Sequence, residues 1–457
     1  MDQNYFSRIS PEILELTKLV EANDNIDPEL FIKHDVKKGL RDLKGKGVVA
    51  GLTNISDVRA TAMVDGESVP ADGRLFYRGY AIEDLIEGID NNNHTGFEEI
   101  TYLLLFGDLP TTEELARFQN LLAGYRSLPT SFVRDIIMKA PSYDMMNTLS
   151  RSVLTMYTYD DKADDTSLEN VLRQSLQLIS IFPLLAIYGY QAYRHFHDGQ
   201  SLFIHYPRPD LSTAENILHI LRPDSQYTAL EVKLLDICLV LHMEHGGGNN
   251  SSFTTHVVTS TLTDTYSVIA AAIGSLKGPR HGGANVKVVQ MFEELKEEIH
   301  DWKDEDEISA YLKKILHKEA FDRLGLIYGV GHAIYSKSDP RAEIFRSYVA
   351  SLSEEKGMRD EFDLYEMVAK LGPKVIADER QMFKGVSSNV DFYSGFAYGM
   401  LGLPPELFAP MFAIARISGW CSHRLEELVN KGKIIRPAYK PICPENEYVS
   451  MAERGRK

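Results

Sequence analysis

A fold dominated by α-helices, with one small β-hairpin near the N-terminus, is predicted by three features of this sequence. Thr111, followed three residues later by Glu114, forms a capping-box pattern, and apolar residues continue on one helical face at Leu115, Phe118, Leu121 and Leu122. Two later segments also place apolar residues at helical spacing, namely Ile308, Tyr311, Leu312, Ile315 and Leu316, and Ile344, Phe345, Tyr348, Val349 and Leu352. Alternating β-α-β units are absent from the pattern, so the all-α class is predicted.

The hairpin is predicted from a Val- and Thr-rich segment with turn residues that runs from Val64 to Arg78. The segment from Tyr266 to Leu276 is rich in Ala, Gly and Ser, which lets a helix approach its neighbours closely, and we expect a central helix there. The most apolar stretch, from Leu178 to Ala186, is shorter than the ~20 residues that a membrane-spanning helix needs. No transmembrane segment is therefore predicted.

The charge and the cysteine content exclude several classes of function. The formal net charge of the 457 residues is −16 at pH 7, which repels nucleic acid and anionic membrane surfaces, so an anionic ligand needs a locally basic pocket. Cys238, Cys421 and Cys443 are too few and too scattered for a disulfide framework or a four-ligand zinc site, and they favour a reducing compartment. The N-terminal residues have no secretory or transit pattern, and we expect a cytoplasmic protein.

His245 follows an apolar helical stripe and is expected in the last turn of that helix. A helix C-terminus favours a protonated imidazole, which would suit an anionic substrate. A histidine that only compensates the helix dipole before the glycines that follow fits the local sequence equally well. Zinc binding by His242, Glu244 and His245 is a third alternative, although their spacing matches no standard zinc motif.

His281 lies in a glycine-containing loop directly before a predicted helix. The helix dipole disfavours a charged imidazole there, so we expect a neutral His281 that can donate a hydrogen bond to a developing oxyanion. A purely structural histidine is the alternative. The flanking glycines, which let a substrate approach the backbone, favour the catalytic interpretation.

His332 lies in a second Gly-containing loop. The sequence Asp339-Pro340-Arg341 predicts a helix N-cap, a proline at the first helical position and an arginine in the first turn. A cation at a helix N-terminus is unfavourable unless an anion lies beside it, so Arg341 and its turn are a candidate carboxylate site. An exposed Arg341 of little energetic cost is the alternative.

Three charged residues nearer the C-terminus complete the candidate site. Asp391 stands at the start of a predicted helix and can be interpreted as its cap. Arg416 lies on an apolar helix, where an unpaired charge is costly, so it needs a buried anion. Arg436 stands directly before Pro437.

Taken together, these segments resemble the citrate synthase family. The resemblance extends, in order, over Tyr77-Arg-Gly-Tyr, the helix start at Leu109-Pro-Thr, the segments around His245 and His281, the segment from His332 to Arg341, Asn389-Val-Asp-Phe-Tyr-Ser-Gly, and Arg436-Pro. Chance can supply one such segment but not the ordered set.

The resemblance implies an almost wholly α-helical fold in which residues 1–284 and 396–457 form a large domain. Residues 285–395 are implied to form a small domain that closes over the active-site cleft, and the protein is implied to be a homodimer. The implied reaction is the condensation of acetyl-CoA with oxaloacetate, followed by hydrolysis of citryl-CoA to citrate and CoA. Acetyl-CoA is a substrate in this reaction, and neither a cofactor nor a metal is expected.

The resemblance also implies a role for each candidate residue. Asp391 removes a proton from the acetyl methyl group, His281 polarises the thioester carbonyl, and His332 polarises the ketone of oxaloacetate. The carboxylates of oxaloacetate are implied to bind His245, Arg341, Arg416 and Arg436, the last of these from the neighbouring subunit.

The sequence departs from the family pattern at several positions, with Glu244 in place of an Asp, Gly246 in place of an acid, and Ser336 where a basic residue often lies near the CoA phosphates. A methylcitrate synthase that uses propionyl-CoA fits the motifs equally well, because one methylene in an apolar pocket is worth only about 1–3 kcal/mol. The remaining alternatives are a non-catalytic relative that binds CoA or a dicarboxylate, and a metal hydrolase.

Overall fold

The structure of the protein is a computed structural model in which two compact units are distinguished, Met1–Leu52 and Thr53–Lys457. The residues that it describes are 7–42, 45–65, 67–92, 94–332, 334–381 and 385–454. All candidate site residues belong to the second unit.

The first unit contains two helices, α1 (Pro11–Asn23) and α2 (Pro28–Lys33). Ser10 and Asp27 cap them, because each side chain accepts a backbone N–H from the first turn. Neither helix buries a residue. Local capping, rather than core packing, therefore defines these two helices within their unit.

The predicted hairpin is present at the start of the second unit. Strand β1 (Ser56–Val64) pairs antiparallel with β2 (Glu67–Tyr77), and the short β3 (Tyr80–Ala81) adds to β2. Gly66 of the predicted turn lies outside the described residues. The last residue of β2, Tyr77, is fully buried, so the end of the hairpin reaches the core.

Helices α3 to α17 make up most of the second unit, and the described residues form no further sheet. In chain order they are Ile82–Asn92, Gly96–Phe106, Thr112–Tyr125, Met145–Met156, Leu168–His197, Thr213–Leu221, Ala229–His242, Asn250–Thr259, Thr265–Lys277, Ala284–Glu298, Glu305–Leu316, Pro340–Glu355, Arg359–Arg380, Val390–Met400 and Phe408–Val429. The all-α prediction is confirmed.

The predicted capping box of α5 is present, and one residue of its predicted apolar face is exposed. The side chain of Thr111 accepts the N–H of Glu114 at 3.3 Å, and the Glu114 carboxylate accepts the N–H of Thr111 at 2.8 Å, which completes the capping box of α5. This helix buries Phe118 and Leu122, but Leu121 is 44% exposed, so its apolar face is narrower than predicted. The predicted stripe of α13 is buried at Ile308, Tyr311, Leu312 and Ile315.

Two helices form the centre of the second unit. The 30-residue α7 contains the apolar stretch 178–186 and is long and apolar enough to cross a membrane, but 83% of its apolar window is buried inside the protein. Such burial is typical of a core helix. Helix α11 buries Tyr266, Ile269 and Ala272 and contacts α6, α10 and α17, so the predicted central helix is confirmed.

Candidate active site

The segment that carries His245 differs from its prediction. Helix α9 ends at His242, so His245 lies beyond the helix rather than in its last turn. The hydroxyl of Tyr77 lies 3.1 Å from the carbonyl oxygens of both Val240 and Glu244. In a longer helix these oxygens would accept backbone N–H groups of the next turn. The two interpretations of His245 that depend on the helix dipole are therefore wrong.

His245 is buried and neutral. Burial lowers the pKa of its imidazole well below the ordinary value, and the neighbouring Arg341, His332 and Arg416 add to this effect. Its Nε2 lies 3.2 Å from the hydroxyl of Tyr335, whose ring stacks on His332 with the centroids 4.8 Å apart. His245 is thus fixed as a neutral hydrogen-bonding group and not as a cation.

The tautomer of His332 follows from the backbone around it. The N–H groups of Ile334 and Tyr335 both donate to His332 Nδ1, each at 3.1 Å. When Nδ1 accepts in this way, the proton of a neutral imidazole is on Nε2. His332 can therefore offer an Nε2–H donor to a carbonyl oxygen.

Arg341 lies in the first turn of α14, behind Asp339 as the N-cap and Pro340 at the first position, as predicted. Its side chain is buried and forms a bidentate pair with Asp339, with Nε 3.0 Å from Oδ1 and Nη2 2.7 Å from Oδ2. Burial opposes the charge, but the Asp339 carboxylate outweighs it and raises the pKa of Arg341. The alternative of an exposed Arg341 is therefore wrong.

Arg416 is fully buried in α17, in agreement with its apolar surroundings in the sequence. Its Nε donates to the backbone oxygen of His242 at 2.7 Å, and its guanidinium lies 4.7 Å from the centroid of Phe412. Burial lowers its pKa, an effect that the nearby negative charge of Glu244 opposes. Among the described residues no group accepts from its buried Nη1. An unsatisfied buried donor is costly, so Arg416 is suited to an anionic ligand.

Asp391 is the second residue of α16, and Asn389 is the cap of that helix. The Asn389 side chain accepts the Asp391 N–H at 3.0 Å, so the interpretation of Asp391 as the cap is wrong. Burial raises the pKa of the Asp391 carboxyl to about 6, although the positive charge of Arg341 opposes the shift. A carboxyl with a pKa in this range is well placed to act as a general base near neutral pH.

His281 lies in the loop between α11 and α12, before the N-cap Gly283, as predicted. Burial, together with the positive charge of Arg416, lowers the pKa of its imidazole to about 4. The ring is therefore neutral as expected, and burial makes the largest contribution to the lowered pKa. Its Nε2 lies 3.2 Å from the hydroxyl of Ser251 at the start of α10.

Charge interactions join these residues into one cluster, in which His245, Arg341 and Arg416 are buried and His281, His332 and Asp391 are partly buried. The positive charges of Arg341 and Arg416 both act on His245 and Asp391, and Arg416 also acts on His281. Segments far apart in the sequence thus meet around two cations, a carboxyl with a raised pKa, and neutral imidazoles. This arrangement can hold a small dianion next to a general base.

The sequence matches a family model described as the C-terminal domain of citrate synthase over residues 42–438. The chain belongs to the citrate synthase family. A citrate synthase from Acidithiobacillus ferridurans is 36% identical over 90% of this chain and 97% of the relative. A 2-methylcitrate synthase from Shewanella oneidensis is 33% identical over 83% of this chain and 92% of the relative. The solved ternary complex of carboxymethyl coenzyme A and oxaloacetate with citrate synthase from Thermoplasma acidophilum has a TM-score of 0.72 at 26% identity, covering 91% of this chain and 99% of that one.

These matches confirm the prediction of a citrate synthase, an acyltransferase that condenses acetyl-CoA with oxaloacetate. They also confirm the all-α fold with its small sheet, since the Thermoplasma citrate synthase superimposes over nearly the whole chain. They favour a condensing enzyme over the metal hydrolase considered from the sequence.

Two tyrosines that were not predicted as site residues contact the candidate residues or the segment that carries them. Tyr335 is 1% exposed and contacts both His245 and His332, but no local pattern distinguishes it from other loop tyrosines. Tyr77 lies in the Tyr77-Arg-Gly-Tyr segment that supports the family resemblance, so a signal for its importance was present. Its function in ending α9 became visible only through the tertiary contact.

One candidate site residue, Arg436, is not brought to the others. It is exposed in the segment that follows α17, and no hydrogen bond or ion pair joins it to another candidate residue in the described chain. Its contribution to the site of a neighbouring subunit stays a prediction, as does the homodimer.

Proposed function

We propose that this chain makes citrate from acetyl-CoA and oxaloacetate at this cluster. The observation that carries the proposal is the unsatisfied Nη1 of Arg416, which lies close enough to Asp391 for their charges to interact. A dianionic keto acid would supply the missing acceptor and would be held beside a base. The neutral imidazoles would donate hydrogen bonds that stabilise a developing oxyanion.

In the first step Asp391 takes a proton from the methyl group of acetyl-CoA, and the electron pair of the C–H bond moves toward the thioester oxygen. The neutral His281 donates its N–H to that oxygen and stabilises the enolate. Because the pKa of Asp391 is about 6, the carboxylate form predominates at pH 7 and can accept the proton.

In the second step the enolate carbon attacks the ketone carbon of oxaloacetate. His332 donates its Nε2–H to the ketone oxygen as charge develops there, while Arg341 and Arg416 hold the carboxylates together with His245. Water then attacks the thioester carbonyl of citryl-CoA, the C–S bond breaks, and CoA leaves as the thiol.

We assign domain closure to residues 285–395, which would move against the remainder of the second unit. Two contacts across this boundary support the assignment, the 3.2 Å contact of the Tyr335 hydroxyl with His245 and the 3.2 Å hydrogen bond from the Gly73 N–H to Ser338 Oγ. Both would have to break for the site to open. Closure would exclude water while the enolate forms.

A homodimer is part of the proposal, with Arg436 entering the site of the second copy. The C-terminal segment supports this because it carries exposed apolar side chains that a second copy would cover, Tyr439, Ile442, Tyr448 and Val449. A cytoplasmic location is supported by the three cysteines, which are all free.

A second candidate substrate is propionyl-CoA, because the Shewanella relative, at 33% identity, is named a 2-methylcitrate synthase. The same base and donors would act on a methylene carbon in place of a methyl. Only the shape of the acyl pocket separates the two, and one methylene is worth about 1–3 kcal/mol.

The test is CoA-thiol release, measured with acetyl-CoA and with propionyl-CoA, each with and without oxaloacetate. We expect release that depends on oxaloacetate and a higher kcat/KM for acetyl-CoA. A higher kcat/KM for propionyl-CoA would make the enzyme a methylcitrate synthase. Release that is equal without oxaloacetate would indicate a thioesterase and would overturn the condensation.

A further inference from the structure

A row of polar side chains lies behind the segment that carries His245, and none of the roles proposed above uses it. Glu427 Oε2 lies 2.9 Å from His256 Nδ1, and His256 Nε2 lies 3.1 Å from His423 Nδ1. At the other end, His423 Nε2 lies 3.1 Å from Glu244 Oε1. His423 and Glu244 are fully buried, and Glu244 directly precedes His245.

The contacts along the row favour one positive charge on its two imidazole rings. His256 Nδ1 forms a hydrogen bond with the Glu427 carboxylate and therefore carries a proton, and the hydrogen bond between the two inner nitrogens needs a second. His423 Nε2 lies at ion-pair distance from Glu244 but outside hydrogen-bond geometry, and the nearby carboxylate favours a third proton on this nitrogen. Three protons on two imidazole rings make one ring an imidazolium. Burial opposes charge on His423, but Glu244 outweighs it and raises the pKa to about 9, whereas burial and the charge of His423 lower the pKa of His256.

Glu244 has two cations within electrostatic reach. Burial would raise its pKa, but the charges of His423 and Arg416 lower it to about 2, so the carboxylate is ionised. The Oε1 atom is held on the side of His423, where the Ser56 hydroxyl also donates to it at 3.0 Å. No ion pair joins Glu244 to Arg416 within the described chain, and Arg416 Nη1 and Glu244 Oε2 are both buried without a hydrogen-bond partner.

We propose that His423 is a positioning residue for oxaloacetate, whose imidazolium holds the Glu244 carboxylate so that Arg416 Nη1 stays available to a substrate carboxylate. The inference rests on the proposed role of Arg416 in binding oxaloacetate. Without the charge of His423, Glu244 would be a buried carboxylate with Arg416 as its nearest cation. A buried charge without its partner is costly, so Glu244 would pair with Arg416 and compete with the substrate.

The first test is the variant His423→Gln, in which the amide can still donate a hydrogen bond to Glu244 but carries no charge. We expect the KM for oxaloacetate to rise roughly 10- to 100-fold, the range of a charge-assisted hydrogen bond, with a much smaller change in kcat. The double variant His423→Gln with Glu244→Gln removes both charges and should restore the KM to within about threefold of wild type, because neighbouring residues are not additive. A merely structural role would make the double variant worse than the single one.

His256→Gln provides the matched control. It removes the same type of side chain from the same row but leaves the His423–Glu244 pair in place, so its KM should equal that of the wild type. Circular dichroism and melting temperature verify folding of all variants. An unchanged KM in folded His423→Gln, or a double variant without recovery, would overturn the proposal.

The pH profile adds a second readout. His423 is faced by Glu244 from the segment after α9, by His256 from α10 with Glu427 behind it, and by Glu426 on its own helix, 3.7 Å away. As His423 loses its proton near pH 9, the KM of the wild type should rise, and this rise should be absent in the double variant. A double variant with the same rise would contradict the proposal.

A metal ion is the competing explanation for this row, because donor atoms of His256, His423 and Glu426 lie within 4.8 Å of one another. In the proposed row a proton shared across the 3.1 Å between the two nitrogens occupies both lone pairs, so a chelator should leave the KM unchanged. A KM that changes after chelation would overturn the protonated row.

The variant Arg416→Lys separates this inference from the proposed function. If Arg416→Lys leaves the KM for oxaloacetate unchanged, Arg416 does not bind oxaloacetate, and the positioning role of His423 is wrong as well. If Arg416→Lys raises the KM and His423→Gln does not, only the inference about His423 is wrong.

Discussion

Asn389, and not Asp391, caps α16, since the Asn389 side chain accepts the Asp391 N–H at 3.0 Å. The Asp391 carboxylate accepts no hydrogen bond from any residue in the described chain, and it lies among the positive charges of Arg341 and Arg416. Its chemical and structural functions are therefore separable by mutation.

The variant Asp391→Asn should fold normally but lose ~10²- to 10⁴-fold in kcat, because its amide cannot accept the methyl proton. The cap of α16 is unchanged, so the melting temperature should not fall. Steady-state kinetics and thermal unfolding measure the two effects. Asp378→Asn, the same change at an exposed position of α15, is the control. A folded Asp391→Asn enzyme with wild-type kcat would exclude Asp391 as the base.

The pH dependence of kcat should show a limb that falls as the pH drops through about 6, where the Asp391 base becomes protonated. The stability of the folded protein should depend on the same group in the opposite direction. The folded-state pKa of Asp391 is raised from 3.8 to about 6, so folding disfavours its ionised form. Asp391 therefore lowers the free energy of unfolding as the pH rises from about 4 to about 6. Asp391→Asn should thus gain more in melting temperature at pH 8 than at pH 4, and an equal gain at both would refute the raised pKa.

Oxaloacetate should strengthen the binding of acetyl-CoA. His245 and Arg416 lie outside the proposed small domain, whereas His332, Arg341 and Asp391 lie inside it, so a dicarboxylate would bridge the two. A typical coupling of about 1–3 kcal/mol would tighten acetyl-CoA binding ~5- to 150-fold. Calorimetric titration of a non-reactive acetyl-CoA analogue, with and without saturating oxaloacetate, measures the coupling. Identical dissociation constants would contradict coupled closure.

Arg436 should act in the site of a second copy. A chain with Arg436→Leu and a chain with His281→Ala should each be inactive, and a mixture that forms heterodimers should regain part of the activity, because one of its two sites is intact. Native mass spectrometry verifies the heterodimers. Verified heterodimers without activity would place Arg436 in the site of its own subunit.

Helix caps and the burial of charged residues were predictable from the sequence where neighbouring residues determine them. Asp339 and Arg341 form the N-cap and first turn that their sequence predicts, and Arg416 is buried because its helix is apolar. The end of α9 was not predictable, because the hydroxyl of Tyr77, more than 160 residues away, satisfies the carbonyls there. Nor could local sequence show that burial and the charge of Arg416 would lower the pKa of His281.

The hydrogen bond from Gly73 to Ser338 brings β2 so close to the loop after His332 that no side chain fits between them. A methyl group on Gly73 would overlap the Ser338 carbonyl oxygen and would lie 2.6 Å from Cδ1 of Tyr335. Any larger residue must therefore displace the Ser338 backbone or the Tyr335 ring, which contacts His245 and His332. In a library of all single substitutions, position 73 should be as intolerant as the candidate catalytic positions. The hairpin of this helical enzyme thus carries a selective constraint that its own side chains do not reveal.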